Sequence, residues 1–334
     1  MGTKLIDADE YMHAAGPEIN WNESRYVDFW DPQQRVGGWF RIGVRPNARY
    51  AEMSACIYLP DGRTAFMFGQ PEVDGNTLTA GDQVWGISEP WRLNTLRYHG
   101  PLMVLDDTWM LTDPKRAFST AERVDAEIDL ECYSTGLAHV MGSDQDHIDK
   151  IFLPGQAALH YQHLARSTGR VRVGQNTWQV DGRGGKDHSW GPRNWHAKIY
   201  LRWLICAVDD QNGFMLVRAV GPNKQTRSGY VLDKGEFHVV DDFEMHNRYA
   251  GAPHHQLEQV DLVIRSGARR WTATGTPLYW LPLRHRQKNE RGEDALLRIV
   301  KSPAQWRLGD GREGTGHCEY HDLMVDDKPV GLAD

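Results

Sequence analysis

Residues 124–133 read VDAEIDLECY, and their alternation of apolar and polar side chains indicates the fold class. The apolar positions would face a core, and they are Val124, Ala126, Ile128, Leu130 and Cys132. The acids between them would face water, and they are Asp125, Glu127, Asp129 and Glu131. Because successive side chains of an extended chain point to opposite faces, the stretch predicts a half-buried β-strand. Four acids on one face could bind a cation, but a solvated strand face is the simpler interpretation.

Most of the chain repeats this period of two. Further strands are predicted at 39–45, 50–59, 64–69, 91–98, 103–111, 170–174, 197–208, 214–220, 229–232, 236–240, 259–265, 270–275 and 317–325. Asp61-Gly62, the segment 209–213 and Lys234-Gly235 separate such runs and are typical of tight hairpins. Helical periodicity is scarce, with one short candidate at 155–165. Many short strands at this spacing predict an all-β protein built from sandwiches or barrels.

A polar stretch follows the first set of strands. Residues 142–150 read GSDQDHIDK, and strand patterning resumes after residue 169. A chain of 334 residues is long enough for two domains. We therefore predict an N-terminal β domain at 1–165 and a C-terminal β domain at 166–334.

The composition restricts the class of partner. The chain has 13 tryptophans, which are typical of aromatic-lined ligand cavities or of large β cores. Its formal net charge is −7, and its basic residues cluster only at 284–288, so nucleic acid is not an expected partner. No apolar run approaches the roughly 20 residues that span a bilayer, so we expect no stable membrane insertion. The composition gives no prediction of oligomeric state.

The cysteines bear on the redox compartment. They are far apart in apolar or alternating segments, at Cys56, Cys132, Cys206 and Cys318, and no Cys-x-x-Cys zinc motif occurs. This usage predicts reduced, buried thiols rather than a disulfide framework. Because the first residues also lack the apolar core of a signal peptide, we expect a cytoplasmic protein.

Residues 184–195 read GGKDHSWGPRNW and concentrate functional groups behind two glycines. If the stretch is a strand, His188 and Trp190 lie on one face, and Asp187 and Ser189 lie on the other. A histidine beside an indole could serve as an acid or base next to a surface that stabilises a cation. It could equally be a buried histidine packed on an aromatic ring, and the pattern leaves both interpretations open.

The motif, together with two other stretches, resembles a known family. TGRVRVG precedes it at 168–174, NESRYVDFWDPQQRVGGWFRIGVRPN occupies 22–47, and GTGHCEYHDL occupies 314–323. These resemble the lipocalin-like proteins related to carotenoid 1,2-hydratase and AttH. The resemblance implies two packed lipocalin-like β-barrels with a hydrophobic cavity at or near their interface. It implies water addition to an isoprenoid double bond, with no cofactor and no metal.

The match to the hydratase motifs is incomplete. The family's His-x-Trp pair corresponds to His188 and Trp190, whereas its Tyr-x-Asp pair has no counterpart in YLRWLICAV (200–208) or FMLVRAV (214–220). The resemblance therefore implies the fold more firmly than it implies carotenoid hydration.

Hydration of an unactivated alkene requires a strong acid in a dry pocket and a surface that stabilises a tertiary cation. Asp187 is the first candidate for the proton donor because it adjoins His188, and Glu319 is the second. Alternation places His317 and His321 on the same face as Glu319, which could form a metal site, although no further ligand is evident. Glu319 could instead pair with Arg183 or Arg193, and Glu23 and Asp28 could be acids or ion-pair partners.

We therefore predict a cofactor-independent hydratase or dehydratase, with isomerisation as a variant, that acts on an isoprenoid or terpenoid alkene or tertiary alcohol. The predicted catalytic residues are His188, Asp187 and Glu319. The predicted substrate-binding residues are Trp85, Trp109, Trp190, Trp195, Tyr200 and Trp203. Two alternatives remain, namely a carrier of a hydrophobic small molecule and a pericyclase-like cyclase. A carrier should have an apolar pocket, whereas an enzyme should bury a carboxyl group near His188.

Overall fold

The computed structural model describes residues 5–141, 153, 157–193, 198–288 and 293–333. The first ten strands are β1 (Trp21–Asp31), β2 (Val36–Arg45), β3 (Tyr50–Tyr58), β4 (Thr64–Gly69), β5 (Thr79–Ala80), β6 (Gln83–Glu89), β7 (Leu93–Leu105), β8 (Glu122–Met141), β9 (Leu159–Val173) and β10 (Asn176–Pro192). The remaining strands are β11 (Tyr200–Ala207), β12 (Gly213–Val220), β13 (Gln225–Asp233), β14 (Glu236–Val239), β15 (Asp242–Tyr249), β16 (Leu257–Ser266), β17 (Arg269–Pro277), β18 (Leu281–Lys288), β19 (Asp294–Leu308), β20 (Glu313–Val325) and β21 (Lys328–Pro329).

Helical structure is limited to short segments in the described ranges. One α-helix, α1, spans Pro114–Thr120, and 3₁₀ turns span Asp7–Glu10, Pro46–Ala48, Thr108–Thr112 and Val330–Ala333. Within these described ranges, no helix has the length and apolar character needed to cross a bilayer.

The first sheet closes into a barrel. Its strands run in the order β4-β3-β2-β1-β10-β9-β8-β7-β6-β5, and β4 also pairs with β7. That additional pairing joins eight strands in a ring, with β6 and β5 as an extension from β7. Closure removes the unpaired edges that an open sheet of this length would expose. Alternate side chains fill the interior with an apolar core that includes Val27, Phe29, Phe40, Ile42 and Ile128.

The second sheet forms the C-terminal barrel. Its main path is β14-β13-β12-β11-β20-β19-β17-β16-β15, while β18 pairs with β19 and β21 with β20. Val240 and Asp241 bring the ends of this path together, because their amides donate to the carbonyls of Gly229 and Arg265. The barrel has its own apolar core, in which Trp306 packs edge-on against another aromatic ring.

A third apolar cluster joins the two barrels. It combines Tyr26, Trp30 and Trp39 of the first barrel with Trp203 and Ile205 of the second. Polar contacts cross the same interface, since the hydroxyl of Tyr58 donates to the carbonyl of Lys301. The fold is therefore the pair of lipocalin-like β-barrels that the resemblance implies.

The strand predictions and the helix prediction have different outcomes. The stretch 124–133 lies within β8, and turns occur at Asp61-Gly62, 209–213 and Lys234-Gly235, so these predictions are confirmed. Residues 155–156 of the helix candidate lie outside the described ranges, and from residue 159 the candidate is wrong, because β9 begins there and pairs with both β8 and β10. The strand predicted at 103–111 ends at residue 105, where the chain turns toward a 3₁₀ segment.

The polar stretch does not mark the change of sheet. Most of it, residues 142–150, lies outside the described ranges, and residue 165 lies inside β9. The chain passes from the first sheet to the second between residues 192 and 200. Residues 142–150 lie in the chain between two strands of the first sheet, although their polar composition is typical of a linker. The division into two independent domains stays a prediction.

Gly184 is required by the close approach of two strands. A Cβ atom at this position would lie 2.5 Å from the backbone carbonyl oxygen of Asp28 on β1, which cannot move aside without disturbing the sheet. We expect Gly184→Ala to lower the free energy of unfolding by about 1–3 kcal/mol. Gly251→Ala is the matched control, because a Cβ atom there meets nothing within 4 Å. Equal urea midpoints for the two variants would contradict this account.

Candidate functional site

A cavity of about 380 Å³ lies between the two barrels. This volume falls in the range of small-molecule sites. Its apolar wall is formed mainly by Tyr26, Trp39, Phe66, Phe68, Leu111, Phe118, Leu201, Trp203, Val217, Leu283 and Ile299. Its charged and polar wall includes Arg41, Glu52, His160, Gln162, Asp187, Ser189, Arg193, Lys198, Arg284, Lys301, Glu319 and His321. The site is therefore a hydrophobic pocket with a charged region.

Strand β10 supplies the central part of this wall. It is paired with β1 on one side and β9 on the other, and its side chains alternate between two interiors. Asp187 and Ser189 face the cavity, whereas His188 points into the first barrel and is fully buried there. The predicted alternation along β10 is correct. The cavity lies on the face of Asp187 and Ser189, whereas the sequence motif predicts the face of His188 and Trp190. Because both faces of β10 are covered, alternation alone does not show which of them borders the cavity.

Asp187 is the proton donor candidate that the cavity contains. Its side chain keeps 14% of its surface exposed, and Oδ2 lies 3.8 Å from Nε2 of His160. Burial raises the pKa of Asp187 to about 7, the charge of Glu319 adds to the rise, and Arg193 opposes it. Loss of hydration disfavours the carboxylate, so the acid form persists near neutral pH.

Glu319 lines the same cavity but is held in its ionised form. Its Oε2 bonds to Nζ of Lys301, and its Oε1 lies 2.6 Å from Nε2 of His321. Burial alone would raise the pKa of Glu319, but Lys301 and His321 together lower it well below its usual value. Burial also lowers the pKa of His321 to about 4. Two of the carboxyl groups that line the cavity, Asp187 and Glu319, therefore have pKa values shifted in opposite directions.

The predicted ion-pair partners of Glu319 are wrong. Arg183 pairs instead with Asp210 at 2.6 Å. Arg193 donates to the hydroxyl groups of Ser24 at 3.3 Å and Ser189 at 2.5 Å.

Lys301 reaches the cavity from the second barrel. Its Nζ lies 4.2 Å from the ring centre of Tyr26 and 4.7 Å from that of Trp39. The two aromatic faces and Glu319 thus hold one ammonium group at the barrel interface. Lys301 belongs to a strand that carries no recognisable motif, which is why sequence reasoning missed it.

His188 belongs to a buried polar network inside the first barrel. Its Nε2 lies 2.8 Å from Oε1 of Glu23, and its Nδ1 lies 3.0 Å from the carbonyl of Asp9 and 3.1 Å from the hydroxyl of Tyr161. Burial lowers the pKa of His188 to about 3, and the charge of Arg25 contributes. Of the two interpretations left open by the sequence, this geometry favours the buried, hydrogen-bonded histidine.

The N-terminal segment completes that network. Glu10 is fully buried in the first barrel and accepts hydrogen bonds from Lys186 at 2.8 and 2.9 Å. The hydroxyl of Tyr161 also donates to Glu10. Lys186 and His188 therefore lie on the same face of β10 and belong to one buried polar network inside the first barrel.

The described residues contain one set of side chains close enough to hold a metal ion. Atoms of His13, Glu23 and His188 lie within 4.8 Å of one another. The cations Arg25 and Lys186 are buried in the same region, which makes it unfavourable for a further positive charge.

The metal site considered at 317–321 does not form in the described structure. Nδ1 of His317 lies 2.5 Å from Oδ2 of Asp28, and Nζ of Lys301 bonds to Oε2 of Glu319, so these atoms already have protein partners. Oδ1 of Asp28 also accepts from the amide of Gly185, so Asp28 joins the strands of the two barrels.

The predicted substrate-binding aromatic residues divide between the cavity and other positions. Trp203 lines the cavity, and Trp195 lies outside the described residues. The others do not line it: Trp85 is in the core of the first barrel, Trp109 stacks on His254 at 4.0 Å, Trp190 stacks on His13 at 3.8 Å, and Tyr200 bonds to Arg218 at 3.1 Å. The cavity instead uses Tyr26 and Trp39, which belong to adjacent strands that the sequence did not connect.

Comparison with known proteins supports the fold. A family model described as a domain of unknown function (DUF7064) matches residues 7–324. Among curated proteins the chain has no significant match.

Three crystal structures illustrate the structural similarity. An AttH-like protein from Nitrosomonas europaea has a TM-score of 0.60 at 13% identity, over 92% of this chain and 94% of that one. CghA with Sch210972 has a TM-score of 0.56 at 11% identity, over 98% and 95%. Kievitone hydratase from Nectria haematococca has a TM-score of 0.52 at 12% identity, over 92% and 88%. At these identities the similarity establishes the fold alone.

The raised pKa of Asp187 predicts a stability effect. The folded state holds this proton more tightly than the unfolded chain, so the native carboxyl destabilises the protein increasingly as pH rises from about 4 through 7. We expect Asp187→Asn to become more stable than the wild type by a few kcal/mol over this interval. Chemical denaturation at pH values below and above it measures the difference.

Asp181→Asn is the control on the same strand. Its pKa is lowered by its hydrogen bond to Arg166, so this variant should show no gain at high pH. A stability difference between Asp187→Asn and the wild type that does not change with pH would contradict the account.

Proposed function

The chain belongs to the family described as a domain of unknown function (DUF7064), and we propose that this protein is a cofactor-independent hydratase or dehydratase. Its substrate would be an isoprenoid or terpenoid alkene or tertiary alcohol. The observation that carries the proposal is Asp187, a carboxyl group of pKa about 7 in a cavity with aromatic walls. An acid of this kind donates a proton at neutral pH and is not needed for simple ligand storage.

The proposed hydration begins with proton transfer from Asp187. The π electrons of the alkene form a bond to this proton, which leaves a tertiary cation on the neighbouring carbon and a carboxylate on Asp187. Water then forms the C–O bond, and the resulting oxonium ion returns a proton to Asp187. Dehydration is the same sequence in reverse, and loss of a proton from a different carbon gives an isomerised alkene.

Other cavity residues support this sequence of steps. Glu319, ionised beside Lys301, can accept a hydrogen bond from the attacking water and offset the developing positive charge. Trp203 offers an aromatic surface that stabilises a cation without reacting with it. His188 has no direct part in the proposed chemistry, because it lies on the opposite face of β10.

The two alternatives predict different cavities. A carrier should present an apolar pocket, whereas this cavity includes three carboxyl groups, Glu52, Asp187 and Glu319, and several cationic side chains. A pericyclase-like cyclase would need shape and hydrogen bonds rather than an acid, so the raised pKa of Asp187 favours the hydratase over this alternative.

The proposal can be tested by product analysis. Incubation with a panel of acyclic and cyclic terpene alcohols and alkenes, without cofactor and in oxygen-18 water, should give labelled alcohols or dehydrated alkenes. Asp187→Asn should lower kcat by about 100-fold or more, because the amide keeps the shape of the side chain but cannot act as an acid toward the alkene. Asp181→Asn is the control, since it lies on the same strand and pairs on the surface with Arg166. Full turnover by Asp187→Asn would contradict the proposal.

The pH dependence provides a second test. Because the acid form of Asp187 is required for hydration, kcat should fall about tenfold per pH unit above about pH 7. Lys198 also has a pKa lowered to about 7, through burial and the charge of Arg193. A Lys198→Met variant should therefore retain the descending limb. Loss of the limb in that variant would assign it to the lysine instead.

A further inference from the structure

Tyr26 lies directly beside the proposed proton donor. It is paired with Asp187 across the ladder between β1 and β10, so the two side chains are neighbours on the same face of the sheet. Both residues line the cavity, and Tyr26 keeps only 4% of its surface exposed. The phenol is therefore part of the cavity wall at the position where the proposed reaction takes place.

The ring of Tyr26 is held in place by its neighbours. Nζ of Lys301 lies 4.2 Å from the ring centre, and the rings of Trp203 and Trp39 pack against it at centre-to-centre distances of 5.2 and 6.2 Å. An ammonium group over the ring competes with a carbocation for the same π electrons, so this ring is a poor surface for the cationic intermediate. The packing instead fixes the position of the hydroxyl group.

That hydroxyl group has no hydrogen-bond partner among the described residues. It differs in this respect from the hydroxyl of Tyr58 at the same interface, which donates to the carbonyl of Lys301. It is also not sealed from the cavity, as the unpartnered indole nitrogens of Trp39 and Trp203 are. Because buried polar groups are normally hydrogen-bonded, a partner for this hydroxyl is expected from the ligand.

The hydroxyl group of Tyr26 keeps its proton. Burial raises the pKa of Tyr26 well above its usual value, and the charges of Asp28 and Glu319 add to the rise. A neutral phenol offers one donor and two lone pairs, so it can bind an alcohol or a water molecule without exchanging a proton with it. Its role thus differs from that of Asp187, which gives up a proton in the proposed reaction.

We propose that the hydroxyl group of Tyr26 binds the oxygen atom that the reaction adds or removes, next to Asp187. The inference rests on the proposed function for its reaction, but the hydrogen bond can be tested by binding alone. During hydration, the water molecule would donate one hydrogen to Tyr26 and the other to Glu319, which leaves a lone pair to form the C–O bond. During dehydration, the same two groups would hold the departing water after Asp187 protonates the alcohol.

The binding test compares two ligands that differ by one hydroxyl group. Linalool and 3,7-dimethylocta-1,6-diene have the same carbon skeleton, and stopped-flow quenching of tryptophan fluorescence measures the affinity of the full-length protein for each before turnover. The wild type should bind the alcohol about tenfold more tightly than the hydrocarbon, as expected for a buried hydrogen bond. Tyr26→Phe should remove most of this preference.

Tyr58→Phe is the matched control, because Tyr58 does not line this cavity and its hydroxyl already bonds to a backbone carbonyl. This variant should keep the preference for the alcohol. An unchanged preference in Tyr26→Phe would overturn the proposal. A wild-type protein that binds linalool no more tightly than the hydrocarbon, or binds neither, would also overturn it.

Thermal melting provides an independent measurement. A hydroxyl group without a protein partner contributes no hydrogen bond to folding, so Tyr26→Phe should be at least as stable as the wild type. Tyr58→Phe should be less stable, because it loses the bond to Lys301. A larger loss of stability in Tyr26→Phe than in Tyr58→Phe, or failure of Tyr26→Phe to fold, would reveal a structural role for the hydroxyl and overturn the proposal.

Product analysis in oxygen-18 water tests the role in the reaction. Without the Tyr26 hydroxyl to hold the water molecule, the cation should lose a proton more often than it captures water. Tyr26→Phe should therefore shift the ratio of labelled alcohol to alkene about fivefold toward the alkene, and Tyr58→Phe should leave the ratio unchanged. A purely structural residue would lower turnover without changing this ratio, so an unchanged ratio in Tyr26→Phe would overturn the positioning of water.

The outcomes separate the two proposals. Turnover that depends on Asp187, with an alcohol preference and a product ratio that Tyr26→Phe does not change, would retain the hydratase and remove the role of Tyr26. A preference for the alcohol that depends on Tyr26, without any turnover, would retain the binding role and remove the hydratase.

Discussion

The burial of β10 on both faces is the constraint on which the rest of the structure depends. This strand is hydrogen-bonded between β1 and β9, so its side chains can point only into the first barrel or into the cavity between the barrels. A single alternating run therefore supplies two different environments. Lys186 and His188 complete the polar interior of the first barrel, and Asp187 and Ser189 form the wall of the cavity.

The cavity places Asp187 where it is unfavourable for stability and useful for chemistry. Its neutral form is favoured by burial, while Glu319, which lines the same cavity, is kept ionised by Lys301. Two carboxyl groups in different protonation states can divide the roles of acid and charge stabiliser. The barrels make this possible because Asp187 comes from the first and Lys301 and Glu319 come from the second. Such a site is assembled only when the barrels pack.

Much of the fold could be predicted from the sequence, because alternation is a local property that VDAEIDLECY displays within ten residues. The hairpins could also be predicted, because turn residues such as Asp61-Gly62 are a local feature of the sequence. The change of sheet between residues 192 and 200 could not be predicted, because a polar stretch between two strands of one sheet and a linker between domains can have the same composition.

The site could be predicted only in part. Asp187, Glu319 and Trp203, which were candidates from the sequence, line the cavity, although alternation alone placed Asp187 on the face opposite to His188. The assignment of His188 to the cavity failed because periodicity gives two faces without showing what covers each of them. Lys301 was missed because its importance arises from packing against residues more than 200 positions away in the chain.

The central claim is that burial raises the pKa of Asp187 to about 7, so that its acid form is still present near neutral pH. Carbon-13 NMR titration of protein labelled at the aspartate carboxyl groups measures this directly, with Asp187→Asn used to assign the signal. The account predicts one aspartate resonance that titrates near pH 7 and is missing from the variant. A titration of Asp187 close to the ordinary aspartate value of about 4 would contradict it.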